Sequence, residues 1–176
     1  MNIEDLQFGY DTFGDVTVDP DGKPLPHAQV IRNVVDEAVL ADQVGVDFIG
    51  VGEHHRDDFA VSSPPVVLSA AAARFGGERI VVAIDAKGSA ATGFEVFVGG
   101  GLKPTGLDAV AWARECERRG AGEILLTSID QDGQRGGFDL ELTESVAAAV
   151  SIPVTASGGA GSVKDFVELF QRTQAA

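Results

Sequence analysis

Apolar and polar positions along this chain fall into blocks that switch between two periods. Short apolar runs at residues 6–10, 46–51, 80–84, 124–129 and 152–156 have the length and bounding turn residues of buried strands. Between them the spacing turns helical. From Ala28 onward Ile31, Val34, Val35, Ala38 and Val39 recur on one helix face, and Gly45 stands where a C-terminal cap belongs. Ser63 as N-cap and Pro64 in the first turn open a second helix over residues 66–74, stopped by Gly76 and Gly77. Thr105-Gly106-Leu107-Asp108 reads as a capping box for a third helix that ends at Arg119 before Gly120, and a fourth is expected over 140–150. Ser162 with Asp165 caps a fifth that ends near Arg172. Residues 19–24 form a turn-rich loop. Within the glycine-rich stretch 88–101, residues 94–98 alternate like the arm of a small hairpin.

Five strands alternating with five helices predict an α/β fold, a single domain with a parallel sheet and right-handed crossovers. Residues 81–84 and 124–126 are apolar on both strand faces, which suits a sheet covered on each side. Five parallel strands form either a partial TIM barrel or a flattened, flavodoxin-like sheet. Edge strands remain in both, and self-association is expected if barrel curvature is kept.

Composition narrows the classes. The chain has 13 basic and 27 acidic residues, a formal charge of −14, which repels nucleic acid and anionic membranes. The start carries acids where a secretory leader would carry a basic region, and no apolar stretch is long enough to span a bilayer. A cytoplasmic protein is expected. The single cysteine, Cys116, reads as a small buried hydrophobe. His54 and His55 are adjacent and would point to opposite faces of a strand, so no metal pair is expected.

Candidate chemistry gathers at the C-terminal ends of the later strands. Alternation puts Val81, Ala83 and Asp85 on one side of the third strand. A strand-end acid is a candidate for acid–base work, or else a loop cap. Gly158-Gly159-Ala160-Gly161 leads into a capped helix, where unpaired N–H groups and the positive end of the helix dipole can hold an anion. Thr127 is either a site residue or an ordinary strand threonine.

Residues 81–86, 120–130 and 156–161, that is VVAIDA, GAGEILLTSID and ASGGAG, resemble the C-terminal half of the cyclase subunit of imidazole glycerol phosphate synthase. The likeness runs from Gly77 to about Gln174. It implies a lyase of histidine biosynthesis acting on a phosphorylated small molecule, with Asp85 as one of two catalytic aspartates and Thr127 near the reacting centre. Asp132, Gly133, Ser157, Gly158, Gly159 and Gly161 would then bind one substrate phosphate. Glu123 matches a glutamate at the base of that family's barrel, where ammonia enters from a glutaminase; this partner is not expected to dock, because the other members of that ring have no counterpart.

Residues 1–75 are instead similar to the start of a luciferase-like, flavin-dependent monooxygenase. Val35-Asp36-Glu37-Ala38, Gly45 to His55 and Ser63-Pro64-Pro65 carry that likeness. It implies a flavin site near His54 or His55, but most of that family's flavin-phosphate contacts belong to later units, and no bound FMN or other cofactor is expected. The two likenesses together make the chain resemble a chimera of two barrel fragments joined near Phe75-Gly76-Gly77.

Overall fold

The computed structural model describes residues 8–53, 56–89 and 91–176 and forms two compact units, Met1–Phe75 and Gly76–Ala176. In the first unit, strand β1 (Gly9–Thr12) pairs in parallel with β2 (Phe48–Val51). Helix α1 (His27–Val44) crosses between them and α2 (Pro64–Phe75) follows. Gly45 ends α1 in the left-handed region at φ 82°, its N–H returned to the last helical carbonyls, a conformation that glycine adopts without a Cβ penalty. Val34, Val61 and Val67 form the buried core of this unit, with Ile31, Val35 and Val51 packed against it.

The second unit opens with a short 3-10 turn at Gly77–Arg79. A five-stranded sheet follows in the order β5-β4-β3-β6-β7. Its parallel part is β3 (Val81–Ser89), β6 (Glu123–Ser128) and β7 (Val154–Ser157). β4 (Gly93–Val98) and β5 (Lys103–Asp108) add an antiparallel hairpin to the other edge of β3. Helices α3 (Ala109–Arg118), α4 (Leu140–Ala147) and α5 (Val163–Arg172) alternate with the later strands. Each begins at a side-chain oxygen: Asp108 accepts from the Ala111 N–H, Asp139 from the Leu142 N–H, and Asp165 from the Ser162 N–H. Such caps satisfy donors that the helix itself leaves unpaired.

All five expected strands are present, although the first begins later than the span 6–10, which lies partly outside the described residues. They are divided between two sheets rather than joined in one, because the edge of β3 away from β6 is taken by β4. The hairpin arm at 94–98 is β4, and β5 was not expected. The capping box at 105–108 is corrected as well. Thr105 lies in β5 and its hydroxyl donates to the Val96 carbonyl at 2.7 Å, so Asp108 caps α3 alone.

Burial in the second unit is one-sided. Ile84, Ala86, Ile124, Leu126 and Val154 point into one core with Phe94 and Val96 of the hairpin, Ala109, Ala113 and Cys116 of α3, and Leu142, Val146 and Ala147 of α4. On the opposite face Val81 and Ala83 are exposed and Leu125 half-buried. The expectation of cover on both sides therefore fails here. Strands β3, β6 and β7 follow one another in one direction with one helix-covered face, the arrangement of an open barrel segment rather than a doubly wound sheet.

Leu126 is only 1% exposed and Leu102, in the hairpin, 86% exposed. Leu126→Ala is expected to lower unfolding stability by about 3 kcal/mol, whereas Leu102→Ala should change it by less than about 0.5 kcal/mol. Guanidinium denaturation followed by far-UV circular dichroism measures both; equal effects would contradict the one-sided core.

Candidate functional site at the strand ends

The register of the three parallel strands sets the site. Asp85 lies opposite Thr127, and Thr127 opposite Ser157. The three residues form one row across β3, β6 and β7, spaced about 4.8 Å from strand to strand. Their even-numbered neighbours fill the core, so all three emerge on the open face. Asp85, Thr127 and Ser157 are half-buried. The Asp85 carboxylate makes no hydrogen bond or ion pair among the described residues, so the loop-capping alternative for it is not realised.

Below this row, the Thr155 hydroxyl donates to Glu123 Oε1 at 2.7 Å. Above it, Lys87 and Asp130 approach to 3.5 Å, and the Gly88 N–H donates to Asp130. This pair ties the ends of β3 and β6 together at the rim. The residue-by-residue reading did not single it out, and the only signal available was an acid and a base at equivalent strand-end positions.

The glycine-rich loop after β7 lies directly on the loop after β6. Gly158 has φ 90°, and a Cβ there would stand 2.9 Å from the Ser128 carbonyl and 3.3 Å from the Asp132 Cα. A Cβ on Gly159 would collide with the Gly137 carbonyl, and one on Gly161 with the Arg135 carbonyl. The contact is closed by the Gly137 N–H donating to the Gly159 carbonyl at 2.9 Å. Only glycine permits two backbones to approach so closely. Asp132 is anchored by its N–H on the Ser128 carbonyl at 2.9 Å, and Gly133 turns at φ 73° with open space beside it.

Ser128 and Asp139 hold this loop from below. The Ser128 hydroxyl, buried at 3% exposure, donates to Asp139 Oδ2 at 2.9 Å, while Asp139 Oδ1 caps α4. Neither was singled out from sequence, although Asp139 standing just before an apolar helical run was a readable cap.

The structure thus brings Asp132, Gly133, Ser157, Gly158, Gly159 and Gly161 together at one end of the sheet, beside the row that holds Asp85 and Thr127. One detail differs from the expected open amides. The N–H groups of Gly161 and Ser162 both donate to Asp165 Oδ2, at 2.8 and 2.7 Å. The Gly159 and Ala160 N–H groups meet no acceptor among the described residues. An anion at this loop would therefore be held first by Gly159 and Ala160, at the N-terminal end of α5.

In the first unit a hollow of about 230 Å³ is lined by Tyr10, Asp11, Asp15, Asn33 and Glu37, among others. Burial, and then the Glu37 charge, push the Tyr10 phenol above its ordinary value. Three carboxylates make this hollow hostile to phosphate. Glu53 lies among the described residues, but His54 and His55 lie outside them.

The two backbone donors hold the Asp165 carboxyl below its ordinary value. A carboxyl so depressed adds stability above its unfolded-state value, and that contribution is lost as pH falls through the lower folded value. Asp165→Asn should therefore destabilise the protein near neutral pH, with the difference from wild type vanishing in acid. Thermal melts across pH test this, and a pH-independent difference would contradict it.

Residues 32–176 match the family described as histidine biosynthesis protein. The imidazole glycerol phosphate synthase subunit HisF of Acidobacterium capsulatum is 52% identical over 145 residues, 82% of this chain and 54% of that protein. The subunit of the same name from Lactococcus lactis subsp. cremoris is 43% identical over 153 residues, 86% of this chain and 56% of that protein. The chain spans about half the length of the curated relatives it matches. The match takes in all of the second unit and continues into the first from residue 32, across α1, β2 and α2. From the strand-end loops of the second unit back to the middle of α1, the chain belongs to the histidine biosynthesis protein family.

Proposed function

We propose that the second unit is a phosphate-binding half-site of the imidazole glycerol phosphate synthase cyclase type, acting in histidine biosynthesis on a phosphorylated small molecule. The observation that carries this reading is the pair of unengaged amides, Gly159 and Ala160, set at the N-terminus of α5 beside the Asp85–Thr127–Ser157 row. The phosphate accepts from these amides and lies against Asp132 and Gly133. The rest of the ligand extends over the open sheet face toward Asp85, which acts as acid or base, with Thr127 and Ser157 offering hydroxyls. Imidazole ring closure with loss of a leaving group needs one group to take a proton and another to give one. The row holds a single carboxylate. We place the protein in the cytoplasm, where such a pathway runs.

Titrating inorganic phosphate while following backbone amide shifts is the direct test. The Gly159 and Ala160 signals are expected to move at millimolar phosphate, and unchanged signals would overturn the reading. Cyclase turnover by the chain alone is expected to be absent or very weak, and robust Asp85-dependent turnover would show that a second acid completes the site.

A second reading concerns the first unit. The boundary between compact units falls at Phe75 and Gly76, where the two sequence likenesses meet, and this favours a luciferase-like origin for the β1–α1–β2–α2 segment. The acidic hollow in that unit offers a flavin phosphate no support. The purified protein is expected to be colourless; a visible flavin absorption band that survives gel filtration would revise this.

A further inference from the structure

Helix α5 carries its apolar residues on two different stripes. Leu169 is 3% exposed and faces inward, as the single buried residue of the helix. Val163, Phe166, Val167 and Phe170 are 80, 47, 50 and 57% exposed. Their spacing of three, four and seven residues puts them on one continuous face. Phe166 is held in place by an edge-on contact with Phe138, ring centroids 5.1 Å apart. The four side chains expose together roughly 400–500 Å², toward the upper end of what a monomer normally presents in one patch.

We infer that this face pairs with the same face of a second copy of the chain, α5 against α5 in antiparallel fashion about a twofold axis. The stripe is self-complementary in size. An antiparallel crossing centred between Phe166 and Val167 sets Val163 against Phe170 of the other copy and Phe166 against its Val167, so each large side chain meets a small one. The stripe bears no charge. The formal charge of −14 therefore repels only over a distance that ordinary salt screens, and association tightens as salt rises.

The free edge of β7 is not the contact. The Ala176 N–H donates to the Val154 carbonyl at 3.0 Å, so the last residues already lie along the start of that edge. Two such stripes bury about 800–1,000 Å² in total, at the low end of specific interfaces. The dimer is accordingly of micromolar strength and governed by protein concentration.

Sedimentation equilibrium of the full chain, from about 1 µM to a few hundred µM at physiological salt, tests this. Wild type should pass from 18.3 kDa to twice that mass, more readily at higher salt. Val167→Glu and Phe170→Glu should each weaken dimerisation by about 30-fold or more while leaving the circular dichroism spectrum unchanged. Leu102→Gln, at an exposed residue outside the stripe, should leave the dimer intact. Val167→Cys should yield a disulfide-linked dimer on oxidation, since residue 167 lies beside the twofold axis. A wild-type chain that stays monomeric throughout, as it would if its own first unit covered the stripe, overturns the inference. So does a dimer that survives both glutamate variants or is lost in Leu102→Gln.

Discussion

Burying alternate side chains of three parallel strands on one side leaves no choice about what the other side displays. Ile84 and Ala86 of β3, Ile124 and Leu126 of β6, and Val154 of β7 are packed under α3 and α4. Because strand side chains alternate strictly, Asp85, Thr127 and Ser157 are committed to the open face. A one-residue slip of β6 would bring Thr127 into the core and expose Leu126 at once. The cost of that exchange, several kcal/mol, is what keeps the row aligned. The chemistry of the site thus depends on hydrophobic packing that never touches a ligand.

The second requirement is close approach of backbone to backbone. Gly158, Gly159 and Gly161 let the loop after β7 rest on the carbonyls of Ser128, Arg135 and Gly137, and the Ser128–Asp139 hydrogen bond fixes the loop beneath. Glycine in these positions is a steric necessity before it is anything else. The amides left over are those of Gly159 and Ala160, because Asp165 draws the next two into the helix cap. The same carboxylate that starts α5 thereby decides where an anion can be held.

Much of this was readable from the residues wherever the determining interaction was local. The Ser162–Asp165 cap, the Gly45 stop and the alternation of β3 each rest on neighbours a few positions apart, and each stands as read. Where the partner was distant, reading failed. Thr105 looked like the start of a capping box because nothing in residues 105–108 reveals the Val96 carbonyl that holds its hydroxyl. The division into two sheets follows from β4 taking the edge of β3, a pairing that the alternation at 94–98 suggests but does not place. The glycine-rich loop announced itself by composition. The occupation of the Gly161 amide did not, since it depends on the rotamer of Asp165.

The hairpin gives the second sheet a direction. β5 is its outer strand on that side, and it carries Lys103 and Pro104, with a register irregularity between Glu95 and Phe97 in its partner β4. A proline without an N–H, a charged side chain and a break in the ladder all discourage another strand from adding there. β7 carries no such device. The sheet is blunted at one margin and extensible at the other, so whatever lengthened it, by evolution or by assembly, had a single side on which to do so.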